Sequence, residues 1–213
     1  PLSVLAAPPD TTIFVAELGI SEPGEMDELA ATVRPQVAVL TSIANAHLEG
    51  LGTTENVLRE KARMLLHMSP EGETTFIHPG DVPAESVKGY GEIDQTWTFG
   101  LGAGTAHLSE IEWTGECYQG LAEMRNEQVH FSLPLPGKHN LKNLLAAILA
   151  VDALGLTPNL SALGTFENSA QRSKLEEVGQ LRIYDDTYNA NPASMVAAME
   201  AACELRGEGE AHV

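Results

Sequence analysis

The sequence predicts an α/β protein with a mainly parallel sheet flanked by helices and a small antiparallel β subdomain. Short apolar runs alternate with segments of helical periodicity in the first part of the chain. A strand, a helix and a second strand fit within about thirty residues there, which is typical of a βαβ unit with parallel strands. Residues 72–136 instead show alternating apolar and polar positions, which indicate antiparallel hairpins.

The first part contains two predicted strands and two predicted helices. An apolar run at 13–16, after the turn-like residues 8–10, predicts a buried strand, and a second run at 37–40 predicts another. Between them, 25–33 has apolar residues on one helical face. A further helix is expected from about 54 to 68.

The middle part is expected to form the β-rich subdomain at about 72–136, inserted into the α/β domain. Its predicted strands are 74–77, 96–99, 107–113, 120–124 and 129–133. Residues 100–104 are rich in glycine but open no helix, and no Gly-Lys-Ser/Thr follows them, so a turn is predicted there.

The last part returns to helical patterns. An apolar helix at 141–154 ends on Gly155, a strand is expected at 181–184, and Asn191 followed by Pro192 predicts the start of a helix that reaches about Leu205. Residues 208–213 are interpreted as a linker, so the domain is expected to span 1–207 and a further domain to follow.

Composition excludes several classes of protein. The 213 residues are 43% hydrophobic and 20% charged, which is typical of a soluble globular protein. No apolar run approaches the ~20 residues of a membrane helix, and the start lacks the features of a signal peptide. The first residue is not Met, so we expect a piece of a longer protein. Cys117 and Cys203 form no disulfide or zinc framework and favour a cytoplasmic location.

The net charge is strongly negative. Twelve Lys and Arg against thirty Asp and Glu give −18, so no basic surface for nucleic acid is expected. An acidic protein acting on anionic substrates needs metal ions or a few well-placed cations, although the charge is more simply read as aiding solubility.

Three residues of the first part are candidates for a metal site. Glu17 follows the first predicted strand, His47 follows the second, and Lys61 interrupts an apolar helix face. Ligands bind beyond the carboxyl ends of parallel strands, so we expect the three to meet at that edge of the sheet. The alternatives are a solvent-facing Glu, a structural His and a Lys that extends to water.

The polar turn at 185–192 follows a predicted strand and precedes a helix. Its acids and amides suit contacts to ribose, phosphate or a metal, but Asp and Asn also cap helices without any ligand. Residues 137–140 likewise precede a helix and are explained by capping alone.

Seven short motifs, in this order, resemble the central domain of the Mur ligase family. They are Ala-Glu-Leu-Gly at 16–19, Pro-Gly-Glu-Met at 23–26, Arg-Pro at 34–35, Ala-His-Leu-Glu-Gly at 46–50, Lys61, Pro-Gly-Lys-His-Asn-Leu-Lys-Asn at 136–143 and Asp-Thr-Tyr-Asn-Ala-Asn-Pro at 186–192. The resemblance implies the P-loop-NTPase-like fold of that domain.

The resemblance also implies roles for individual residues. Glu17 and His47 are expected to bind Mg²⁺, and Lys61 to be a catalytic residue, together with His47, in a carbamylated form that offers oxygen to the metal. In the nucleotide site, the resemblance implies that Asn140 contacts adenine. Arg172 is expected at the ATP phosphates, Asp186 at the ribose, and Asn143, Tyr188, Asn189 and Asn191 beside them.

By this resemblance the protein belongs to an ATP-dependent amide-bond ligase of peptidoglycan synthesis. It would add D-alanyl-D-alanine to UDP-N-acetylmuramoyl-tripeptide through an acyl phosphate. A sister ligase, a cyanophycin-synthetase-like ligase, or a non-catalytic binding module stay open as alternatives, because the sequence contains no GxxxxGK[ST] phosphate loop. In the family that loop lies shortly before the segment that corresponds to Pro1, and we expect the chain alone to be inactive.

Overall fold

The computed structural model describes residues 2–43, 48–125, 127–166, 168–169, 171–179 and 181–206. The chain divides into two compact units, residues 1–97 and 98–213. Among the described residues, none of the helices is long and apolar enough to cross a membrane.

The described residues contain six α-helices and eight strands. The helices are α1 (Leu2–Ala6), α2 (Glu25–Val33), α3 (Leu48–Leu51), α4 (Thr54–Ala62), α5 (Lys138–Ala153) and α6 (Pro192–Leu205). The strands are β1 (Val37–Val39), β2 (Thr75–Pro79), β3 (Gln95–Gly100), β4 (Ala106–Trp113), β5 (Tyr118–Met124), β6 (Glu127–Leu133), β7 (Lys174–Val178) and β8 (Leu181–Asp185). Short 3₁₀ helices lie at Arg63–His67, Ala84–Ser86 and Leu160–Thr165.

In the first unit the strands follow one another in the order β1-β2-β3, and β1 pairs with β2 in parallel. The parallel direction follows from the helical crossover, since the chain returns through α4 before entering β2. Every residue of β2 is buried. The predicted helix at 25–33 is confirmed as α2, and the one at 54–68 is confirmed as α4 continued by the 3₁₀ helix Arg63–His67.

The strand predicted at 13–16 is wrong. This segment has no regular structure, and Val15 is 90% exposed. An apolar run becomes a strand only where a neighbour satisfies its backbone groups. Here β1 stands last in the hydrogen-bonded order, and within the described residues no backbone pairs with its outer edge. Glu17 therefore does not follow a strand.

In the second unit the order continues β3-β4-β5-β6. β4 pairs antiparallel with β5, and β5 antiparallel with β6, so the antiparallel prediction is confirmed for these three strands. Two segments of this predicted antiparallel region differ. The one at 74–77 is the parallel partner of β1, and the one at 96–99 is β3, which pairs with β4 in parallel. The predicted helices at 141–154 and from 191 onward are confirmed as α5 and α6. β7 and β8 form a separate antiparallel hairpin.

Candidate functional site

The candidate residues fall into two groups, one in each unit. In the first unit Lys61 lies near the end of α4, a helix whose start is capped by the Thr53 hydroxyl accepting a hydrogen bond from the Asn56 amide at 3.1 Å. The helix buries Val57 and Leu58 in the core and leaves Lys61 half-buried. The Lys61 Nζ donates a hydrogen bond to the Ser42 carbonyl at 3.1 Å.

This contact places the Lys61 amine at the carboxyl end of β1, because Ser42 lies three residues beyond Val39. Burial lowers the pKa of the Lys61 ammonium below its ordinary value. A lowered pKa increases the share of neutral amine, which is the nucleophilic form. The Lys61 amine therefore lies at the carboxyl end of β1, and its lowered pKa favours the neutral form.

The other two members of the predicted metal site, Glu17 and His47, are not seen in a comparable contact among the described residues. Glu17 is exposed, on the irregular segment before α2. His47 lies outside the described residues. Within the part of the chain that the structure describes, no group of three His, Cys, Asp or Glu side chains is close enough to hold a metal ion. The expected meeting of all three residues stays a prediction.

Glu60 organises the start of α2, a role that the sequence analysis missed. Its carboxylate is only 7% exposed, and its Oε1 accepts hydrogen bonds from the Gly24 amide at 2.7 Å and the Met26 amide at 3.3 Å. Gly24 has a φ of 92°, which glycine adopts without strain. The Pro-Gly-Glu-Met motif at 23–26 thus forms the start of α2 around a carboxylate from α4. An acidic residue on the apolar face of the predicted helix could have signalled it.

A second set of contacts joins the same two helical segments. Asp27 of α2 accepts hydrogen bonds from the Arg63 Nε at 2.7 Å and makes a 2.9 Å contact with the His67 Nε2. These two partners lower the pKa of Asp27. Together with Glu60, this triad fixes the segment that follows Lys61 against α2.

In the second unit the start of α5 presents Asn140. Gly137 precedes the helix with a φ of 88°, and a Cβ there would come within 2.6 Å of the His139 ring. Asn140 is 7% exposed, and its Nδ2 donates to the Pro136 carbonyl at 2.8 Å. Its Oδ1 accepts a long bond, 3.4 Å, from the Asn143 Nδ2. With the partners found among the described residues, Asn140 retains one amide hydrogen and acceptor capacity on Oδ1.

Arg172 and Asp186 lie on two turns that are tied together. The Asp186 Oδ1 accepts a hydrogen bond from the Ser173 amide at 2.9 Å, and the Tyr188 amide donates to the Gln171 carbonyl at 3.0 Å. The Arg172 guanidinium lies 3.9 Å from the centre of the Tyr188 ring, which is a cation–π geometry.

His139 lies next to Asn140 at the start of α5. Burial lowers the pKa of His139, while the charges of Asp186, Glu204 and Glu200 act in the opposite direction. The Asp186 carboxylate is therefore within electrostatic reach of the residue next to Asn140.

Two of the other predicted residues have contrasting surroundings. The Asn191 Oδ1 accepts from the Ser194 amide at 3.0 Å, and the Ser194 Oγ accepts from the Asn191 amide at 3.0 Å, so Asn191 serves as the cap of α6. Asn189 is exposed in the preceding loop. Capping thus accounts for Asn191 without a ligand.

Comparison with known proteins shows similarity to the Mur ligases. Residues 1–151 match the Mur ligase middle domain. The chain is 33% identical over 214 aligned residues to the UDP-N-acetylmuramoyl-tripeptide–D-alanyl-D-alanine ligase of Bacillus subtilis, covering 99% of this chain and 45% of that protein. The chain thus spans less than half the length of this relative.

Solved structures agree. A MurF structure from Acinetobacter baumannii matches with a TM-score of 0.80 and 30% identity, covering 89% of this chain and 42% of that one. The MurF ligase from Thermotoga maritima in complex with ADP matches with a TM-score of 0.78 and 27% identity, covering 88% and 44%. The chain therefore belongs to the Mur ligase family and contains its middle domain.

Proposed function

We propose that this chain is the nucleotide- and metal-binding part of an ATP-dependent ligase of cell-wall peptidoglycan synthesis. The ligase joins D-alanyl-D-alanine to UDP-N-acetylmuramoyl-tripeptide in the cytoplasm. The observation that carries the proposal is the similarity, over 99% of the chain, to a ligase of that name. A related enzyme was solved with ADP, which supports an adenine nucleotide as ligand.

The chemistry of the second unit suits the nucleotide. The Asn140 carboxamide offers a donor and an acceptor to adenine, as its remaining hydrogen-bonding capacity allows. The Asp186 carboxylate accepts hydrogen bonds from ribose hydroxyls, and the Arg172 guanidinium pairs with phosphate oxygens. Asn143 and Tyr188 act on these groups, the first through Asn140 and the second by supporting Arg172.

The first unit suits the metal. Mg²⁺ prefers oxygen ligands and takes only one or two carboxylates from a protein beside substrate phosphates. Glu17 is a carboxylate open to solvent, and Lys61 adds oxygens once it is carbamylated; His47 is the third proposed ligand. These residues would hold Mg²⁺, which when bound would supply positive charge near the transferred phosphoryl group.

The setting of Lys61 supports its carbamylation. The neutral Nζ attacks the carbon of CO₂, an N–C bond forms, one C=O electron pair moves onto oxygen, and a proton leaves the nitrogen for solvent. The lowered pKa of Lys61 favours this step, because only the neutral amine attacks.

The intact ligase carries out the overall reaction in two steps. The tripeptide carboxylate takes the γ-phosphoryl group of ATP to give an acyl phosphate and ADP. The amine of D-alanyl-D-alanine then attacks the acyl carbon, and inorganic phosphate leaves.

Phosphate release tests the reaction. The intact ligase should release phosphate only when UDP-N-acetylmuramoyl-tripeptide and D-alanyl-D-alanine are both present, and this chain alone should release none. If another amino acid replaces D-alanyl-D-alanine without loss, the chain belongs to a sister ligase. If neither protein turns over, a binding module is the correct reading.

Nuclear magnetic resonance with ¹³C-bicarbonate tests the carbamate. The wild-type chain should show a carbamate carbon that disappears in Lys61→Gln and persists in Lys88→Gln, a change at an exposed lysine. A signal that survives Lys61→Gln would remove Lys61 from the proposal.

A further inference from the structure

Glu204 makes contacts that the proposed ligase chemistry does not account for. It is the next-to-last residue of α6, more than sixty residues in sequence from the groups it touches. Its Oε2 accepts a hydrogen bond from the Tyr118 hydroxyl of β5 and another, of 3.1 Å, from the Gly137 amide. One carboxylate oxygen therefore ties α6, β5 and the turn before α5 together.

The Tyr118 hydroxyl, on one side of this contact, belongs to a buried side chain. The Tyr118 ring packs on Trp113 at 4.9 Å between centres. Burial and the neighbouring carboxylate raise the pKa of Tyr118, so its hydroxyl stays protonated and remains a donor. Glu204 is thus held on one side by a fixed point in the β-sheet.

The Gly137 side of the contact controls Asn140. The Asn140 amide donates to the Gly137 carbonyl at 3.0 Å, and the Asn140 Nδ2 donates to the Pro136 carbonyl at 2.8 Å. Both the backbone and the carboxamide of Asn140 therefore take their position from this turn. The space beside the Gly137 Cα is already filled, because a Cβ there would lie 2.6 Å from the His139 ring and 3.1 Å from the Ala201 Cβ.

We propose that Glu204 is a positioning residue for the adenine nucleotide: it fixes the Pro136–Gly137 turn and so sets the orientation of the Asn140 carboxamide. This inference rests on the proposed function of Asn140. A hydrogen bond to an ionised carboxylate is about twice as strong as one between neutral groups, which suits a residue that must hold a turn still.

Glu200 provides a matched control on the same helix. It is exposed, it lies four residues before Glu204, and its charge also acts on His139. Glu200→Gln and Glu204→Gln each remove one negative charge from this region. Only the second change weakens the acceptor for the Gly137 amide, so the pair separates positioning from simple electrostatics.

The test is a titration of this chain with Mg²⁺-ADP, followed by nuclear magnetic resonance. We expect Glu204→Ala to weaken binding roughly tenfold and Glu204→Gln about threefold, since glutamine keeps a weaker acceptor. Glu200→Gln should stay within about twofold of wild type. The near-ultraviolet circular dichroism of Trp113 and Tyr118 reports whether each variant keeps its fold.

A second readout needs no ligand. Hydrogen exchange at the Gly137 amide should accelerate roughly tenfold or more in Glu204→Ala, and the Asn140 side-chain amide signals should move. Tyr118→Phe keeps the bond to Gly137, so its Gly137 exchange should change less than in Glu204→Ala.

The outcomes separate the two proposals. If Asn140→Ala weakens ADP binding but Glu204→Ala does not, the positioning role is overturned and the proposed function stands. If the wild-type chain binds no ADP, the same variants are titrated in the intact ligase; if that protein binds none either, the proposed function fails and the positioning role fails with it. Equal loss in Glu200→Gln and Glu204→Gln would also overturn the positioning role.

Discussion

Replacing Glu60 by alanine should destabilise the first unit more than any surface change. The substitution removes the acceptor for two amides at the start of α2, at 2.7 and 3.3 Å, in a place where Glu60 is only 7% exposed. A buried donor left without a partner costs about 1–3 kcal/mol, and the carboxylate also stabilises the helix N-terminus by about 0.3–1 kcal/mol. We therefore expect the free energy of unfolding to fall by about 2–4 kcal/mol.

Two further variants calibrate this value. Glu60→Gln keeps an acceptor oxygen but loses the charge, so it should cost about 1 kcal/mol. Glu55→Ala removes an exposed carboxylate from the same helix, whose ion pair with Arg59 is an i, i+4 contact at 2.7 Å. Exposed pairs of that kind contribute about 0.3–0.5 kcal/mol.

Hydrogen exchange of the α2 amides is the suitable assay, because it reports the stability of the first unit separately from that of the second. The order of loss should be Glu60→Ala, then Glu60→Gln, then Glu55→Ala. If Glu60→Ala changed α2 exchange no more than Glu55→Ala, the buried carboxylate would not be the cap of α2 and the reasoning would fail.

Three other predictions follow from single contacts. Arg63 and His67 lower the pKa of Asp27 in the folded protein. The contribution of Asp27 to stability is therefore present above its unfolded pKa, near 4, and is lost as pH falls through the lower folded value. The free energies of unfolding of wild type and Asp27→Asn, measured by urea denaturation, should differ at pH 7 and converge in acid. Tyr188→Leu removes the cation–π contact with Arg172 and should weaken ADP binding about two- to fivefold by titration, whereas Tyr188→Phe keeps the ring and should match wild type. Gly137→Ala should lower the free energy of unfolding by about 3 kcal/mol or more in a denaturation experiment, because the new Cβ meets the His139 ring at 2.6 Å. Gly155→Ala is the control: its Cβ has open space, so only the φ of 72° is unfavourable, by about 1 kcal/mol.

The sequence by itself predicted the elements whose signals are local. The apolar spacing of 25–33 and the Asn191-Pro192 start of α6 depend on residues within a few turns of each other, and both were confirmed. The position of Lys61 at the carboxyl end of β1 was also predictable, since a βαβ unit places the helix after a strand near that end.

Tertiary structure decided the features that join distant residues. The run at 13–16 looks like a strand, but pairing needs a neighbour, and the described residues supply none on that side of β1. Glu60 and Glu204 read as ordinary helical acids, and only packing brings their carboxylates to amides 36 and 67 residues away. Periodicity and capping act over a few residues, whereas burial of a charge beside a distant amide depends on how whole elements pack.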